Sequence, residues 1–101
     1  MLVRGTTPTH TFTLPFDTGI CTIVKVIYAQ DNVVILEKEG EACQCNGNTV
    51  IIKLTQAETF KFNCKKSVQI QMRVITNDGE SLVSDIKYLG ARECLDSEVL
   101  E

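Results

Sequence analysis

Three features of this 101-residue sequence predict an all-β fold. Short apolar stretches alternate with a period of two, turn residues separate them, and almost nothing has helical spacing. The arrangement expected is an antiparallel two-sheet sandwich of immunoglobulin-like type, with six to eight short strands and one short helical turn near residues 55–59. A small barrel is the main alternative. Residues 1–90 are read as a single β-sandwich domain and residues 91–101 as an acidic C-terminal tail.

The first eight residues read as a loosely held leader, since Arg4-Gly5 breaks the pattern and Pro8 cannot donate to a ladder. Thr9 to Leu14 then alternates, with His10, Phe12 and Leu14 opposite Thr9, Thr11 and Thr13, as in an edge strand. Pro15 to Gly19 has turn chemistry. Ile20 to Ala29 is the second strand, with Ile20, Val24, Val26 and Tyr28 on one face and Cys21, Ile23, Lys25 and Ile27 on the other. After a turn at Gln30-Asp31-Asn32, Val33 to Glu39 forms the third strand, and its inward face is left open by the sequence.

Glu39 to Asn48 reads as a loop with a tight turn at Asn46-Gly47. Thr49 to Leu54 is the fourth strand, with Val50, Ile52 and Leu54 inward. Thr55 and Glu58 have capping-box spacing, which predicts a single helical turn, α or 3₁₀. Phe60 and Phe62 alternate with Lys61 and Asn63 and suggest a short fifth strand. The clearest strand is Val68 to Thr76, where Val68, Ile70, Met72, Val74 and Thr76 share the buried face. Gln69, Gln71 and Arg73 share the wet one. Asn77-Asp78-Gly79 is a hairpin turn, and the return strand runs through Leu82, Ser84, Ile86 and Tyr88. Residues 91–101 read as a short helix or a flexible tail.

A chain of this length holds one domain and buries roughly two-thirds of its unfolded surface. The net charge of −3 offers phosphate backbones no attraction, so nucleic acid is not an expected partner. No apolar run approaches the roughly 20 residues that span a bilayer, so no membrane partner is expected either. The N-terminus lacks the apolar stretch of a signal peptide. With five cysteines, a reducing compartment is then the default and no disulfides are expected.

Proton transfer and nucleophilic attack need a base held beside an acid or nucleophile. His10 is the one histidine, and its threonine-rich strand matches no catalytic, metal or phosphate motif. The glycines are too scattered for a phosphate loop. Cys43-Gln44-Cys45 with Cys64 is a weak zinc candidate, because one short arm lacks the second arm that structural zinc sites carry. The expectation is therefore no metal, no cofactor and no enzymatic activity. Cys43 and Cys45 are expected to straddle the loop, one inward and one exposed. A Cys43–Cys64 or Cys45–Cys64 bridge is the alternative if the protein works outside a cell. For contacts with other proteins the candidates are the wet strand face, Gln69, Gln71 and Arg73, and a basic cluster of Lys61, Lys65 and Lys66. The acids of the tail, Glu93, Asp96, Glu98 and Glu101, are the complement such a cluster would meet in a neighbouring copy, as in a homo-oligomer.

The run Arg4 to Asp17, RGTTPTHTFTLPFD, resembles the start of small proteins encoded in prophages of anaerobic gut Firmicutes. Tyr28-Ala-Gln30, Leu54 to Thr59, Val68 to Val74 with the Asn77-Asp-Gly79 turn, and Ser84-Asp-Ile86 carry the same resemblance. It covers nearly the whole chain and brings no catalytic residues. The last hairpin is also similar to the immunoglobulin-like N-terminal domain of phage baseplate upper proteins, over about a third of the chain. What this implies is a phage-derived protein made in the bacterial cytoplasm. It would be a structural or assembly component of the virion head, neck, tail or baseplate, acting through contacts with other protein subunits. The alternative is a soluble phage effector that binds and inhibits a host or rival-phage protein.

Overall fold

The computed structural model describes residues 1–96 and 98–100. The chain is mostly β, with few helical residues. Among the described residues it has ten strands, more than the six to eight expected. They are β1 (Leu2–Val3), β2 (Thr9–Thr13), β3 (Cys21–Gln30), β4 (Val33–Glu39), β5 (Gln44–Asn46), β6 (Thr49–Lys53), β7 (Val68–Thr76), β8 (Ser81–Val83), β9 (Lys87–Leu89) and β10 (Ala91–Arg92). One helical turn, α1 (Gln56–Thr59), lies between β6 and β7.

Two antiparallel sheets dominate. One has the order β2-β6-β5, and the other β4-β3-β7-β8, with β9 also on β7. Their inner faces share one core. Phe12, Val50 and Ile52 come from the smaller sheet, and Val26, Tyr28, Val68, Ile70, Met72 and Val74 from the larger. The period-two reading of β7 holds at every position, since Val68 through Thr76 alternate buried with less buried residues. The same is true of Val50, Ile52 and Leu54, all fully buried. On β4, the face left open by the sequence is resolved by a register shift between Tyr28 and Ala29. That irregularity lets both Ile35 and Leu36 pack on the core.

Turn chemistry sets the hairpins. Asp31 and Asn32 both have positive φ, as a two-residue loop between twisted strands requires. At the β7–β8 turn, Gly79 N–H bonds Thr76 O at 2.9 Å and Gly79 sits at φ +84°. Space around it is open, so a side chain there would be penalised by the left-handed backbone alone.

Five expectations are corrected. The leader is not loose: Leu2 is fully buried, and β1 pairs in parallel with β10. Gly5 lies so close that an added Cβ would stand 2.8 Å from the Phe60 ring, and its N–H donates to Thr59 Oγ1. Ala91–Arg92 is accordingly a strand rather than helix or free tail; of the tail acids, Glu101 lies outside the described residues. Phe60 and Phe62 form no strand. Local bonds from Lys61 N–H to Glu58 O and Phe62 N–H to Thr59 O hold them in turns. The 39–48 loop contains the short strand β5. The expected return strand, finally, is split. Ile70 pairs with Lys87, while Met72 O accepts from Ser84 N–H, so Asp85 and Ile86 together oppose Gln71 and a bulge opens between β8 and β9. Ser84 Oγ accepts the Met72 N–H at 2.9 Å, so a side chain completes the ladder there.

Candidate partner-binding surface

The larger sheet turns one face to the core and the other outward. Register fixes the outward residues. Ala29 stands beside Gln69 and Val34, Ile27 beside Gln71 and Glu37, Lys25 beside Arg73 and Glu39, and Ile23 beside Ile75. Val83 and Tyr88 extend the rows on β8 and β9. Ile23, Val34, Val83, Ile86 and Tyr88 are exposed large apolar side chains. Ile27, Ala29, Val34 and Ile86 line a shallow hollow of about 210 Å³, whose remaining walls are Asn32, Gln69 and Gln71. A patch of this kind on a flat sheet is the usual mark of a contact surface.

Within it, the amides singled out by the sequence serve the chain's own backbone. Gln69 Oε1 accepts Asn32 N–H at 2.8 Å and its Nε2 donates to Asn32 Oδ1 at 3.0 Å, which clamps the strained Asp31-Asn32 turn. Gln71 Nε2 donates to Ser84 O at 3.0 Å beside the bulge. Arg73 is exposed and has no carboxylate partner among the described residues, whereas Lys25 beside it pairs with Glu37 at 3.1 Å. The surface therefore consists of the exposed apolar residues of this face, with Arg73 beside Val83 at one end. Sequence reasoning passed over Ile23, Val34, Val83, Ile86 and Tyr88. The apolar outer face of the second strand was the signal that pointed to them.

The lysine cluster lies elsewhere. Lys61, Lys65 and Lys66 are exposed in the loop before β7, and Lys66 pairs with Asp31 at 2.8 Å. Arg73 is about 17 Å further along the strand than its first residue, at roughly 3.4 Å per residue, so it does not join them. Glu93 of the tail reaches Arg4 of the same chain rather than the lysines.

Among the described residues, no three His, Cys, Asp or Glu side chains are grouped to hold a metal ion, so Cys43, Cys45 and Cys64 are not brought together. Cys43 is buried and Cys45 exposed, so the pair straddles the loop as expected, although strict alternation would put residues two apart on one side. The Cys43 thiol lies 3.4 Å from Lys38 O and 3.6 Å from Val24 O, and burial, with Cys45 and Glu39 nearby, pushes its pKa up to about 11. Cys64 donates to Glu93 Oε2 at 3.2 Å, and that bond raises the thiol pKa while lowering that of the carboxyl. His10 Nδ1 lies 2.7 Å from the Tyr28 hydroxyl. Burial lowers the His10 pKa and raises that of Tyr28, which keeps both neutral. The pair spans the two sheets inside the fold.

No helix among the described residues is long and apolar enough to cross a membrane. Comparison with family models, curated proteins and solved structures gives no match.

Proposed function

We propose that this chain is a non-enzymatic protein-contact module, a phage-derived structural or assembly component of a head, neck, tail or baseplate. The observation that carries the reading is the outer face of the β4-β3-β7-β8 sheet. There Ile23, Val34, Val83, Ile86 and Tyr88 stand exposed on one face, and Arg73, opposite Val83, has no carboxylate partner among the described residues. Burying such a face gains free energy at roughly 25 cal/mol per Å² of apolar area, and a single unpaired arginine adds directional contacts. The fold it rests on is read as an immunoglobulin-like sandwich, which two antiparallel sheets around one core support. The assignment to phage particles draws on the resemblance of the Arg4–Asp17 and Val68–Ile86 stretches.

Mass spectrometry of purified particles tests it. The chain is expected in stoichiometric amount, and Val34→Lys with Ile86→Lys should lower incorporation without moving the melting temperature. Complete absence from particles overturns the assembly reading and favours the effector alternative.

A further inference from the structure

The two sheets close against each other on one side only. At the β4–β5 corner a short turn at Gly40–Ala42 carries the chain from one sheet to the other, and Cys43 plugs the junction. On the opposite side, β2 and the β8–β9 edge face each other across an open seam. A hollow of about 250 Å³ runs between them, lined by Leu14, Pro15, Phe16, Met72, Val74, Leu82, Val83 and Ser84. A smaller one of about 60 Å³ continues it past Phe12 and Ile70 to Lys87.

We propose that this seam seats an extended strand of a partner protein, one with alternating aliphatic side chains and a carboxylate placed to meet Lys87. The backbone on the β2 side is ready for it. Leu14 N–H bonds Asn48 O, and Pro8 O accepts from Leu54 N–H, so the even-numbered residues bond to β6. In an antiparallel ladder the odd-numbered ones then point the other way, and Thr9, Thr11 and Thr13 present N–H and C=O to the seam. Adding a strand to such an edge satisfies those groups, while alternate side chains fill the pockets beneath. The larger hollow exceeds the ~150 Å³ that a benzene-sized group needs, so it takes aliphatic side chains.

Charge supplies the last requirement. Lys87 is exposed but lies opposite Ile70 on the core side of β9, at the rim of the seam, with its ammonium 6.0 Å from the centre of the Phe12 ring and no carboxylate partner among the described residues. A carboxylate at that end of an inserted strand would neutralise it. A second copy fits less well, because the inward side chains of its own edge strand β4, Leu36 among them, already pack in its core.

The inference deepens the protein-contact reading and is tested separately from it. The full chain, isotopically labelled, is titrated with acetyl-Val-Thr-Val-Thr-Val-Glu-amide while amide hydrogen exchange is followed by NMR. Exchange at Thr9, Thr11 and Thr13 should slow by about tenfold or more at saturation, with His10, Phe12 and Leu14 unchanged. A peptide with Lys in place of Glu should bind more weakly, and Lys87→Glu should reverse that preference. The seat is overturned by unchanged β2 exchange, by slowing at the β4 edge instead, or by equal binding of the two peptides. Slowing that depends on protein concentration without peptide also overturns it, in favour of a second copy. Any of these leaves the outer-face reading and its particle test untouched.

Discussion

The Tyr28 hydroxyl and His10 Nδ1 meet at 2.7 Å, joining the β3 strand of one sheet to the β2 strand of the other. Tyr28 is fully buried, and its ring also packs edge-on against Phe62 at 6.0 Å. Burial, and then the positive N-terminus, lower the His10 pKa below 6.5. The folded chain therefore binds this proton less readily than the unfolded one. Stability from this site is fully present above 6.5 and is lost as pH falls through the lower folded value. Urea melts across that window should show midpoints falling with acidity in the parent and less so in His10→Gln. Tyr28→Phe, which strands a half-buried imidazole, should cost about 1–2 kcal/mol.

Lys38 and Glu58 form a second tie, at 2.5 Å, with less than a fifth of either side chain exposed. Glu58 also accepts Thr55 N–H at 2.8 Å and so completes the capping box of α1. Burial alone would raise the Glu58 pKa, but the bonds from Lys38 and Thr55 outweigh it and lower it from 4.5. The stabilisation is present above that value and disappears as pH drops through the depressed one. Glu58→Ala should cost about 2–4 kcal/mol, because it removes the cap and leaves Lys38 unpaired. Glu58→Gln retains the cap and should cost about half as much, as thermal melts at neutral pH would show.

These ties differ in how far the sequence announced them. The capping box follows from Thr55 and Glu58 three residues apart, and the β7 core face follows from nine alternating positions. Both signals are local. Two alternating phenylalanines are too short a run to define a strand, and the turns after α1 decided Phe60 and Phe62 instead. The pairing of Leu2–Val3 with Ala91–Arg92 joins the two ends of the chain, and no local pattern encodes it. The wet face of β7 was visible as a face. The sequence did not show that Gln69 and Gln71 are committed to Asn32 and Ser84, which shifts the contact surface to the aliphatic residues beside them.

Gln30 stands in the sequence at a turn, yet it is 4% exposed and staples a distant loop. Its Nε2 donates to Asn63 O at 2.7 Å and Lys66 O at 3.0 Å, and its Oε1 accepts Asn63 N–H at 2.8 Å. Gln30→Met keeps the volume and strands three backbone groups. A loss of about 2–4 kcal/mol in denaturant melts is expected, with faster amide exchange at Asn63. An unchanged Asn63 amide would contradict this arrangement.

Thiol reactivity should separate the cysteine pair of the β4–β5 corner. Cys45 is exposed, while Cys43 is buried with a pKa of about 11, so little thiolate forms at neutral pH. Under native conditions iodoacetamide should modify Cys45 early and Cys43 only after denaturation, as peptide mass mapping would show. Early labelling of Cys43 would mean that the corner opens.

Neighbours on β7 give the sharpest contrast. Met72 is 5% exposed, pairs with Val26, and lines the seam with Leu14 and Leu82. Met72→Asp places a carboxylate on the buried face of the central strand among Val26, Leu14 and Leu82, and a cost of about 4 kcal/mol or more is expected, enough to unfold a marginal domain. Gln71→Asp, one residue away on the opposite face, forfeits only the bond to Ser84 O and should cost about 1 kcal/mol. Circular-dichroism melts of the two variants should therefore differ widely. If they coincide, the inward and outward faces of the strand are misassigned, and the outer-face surface falls with them.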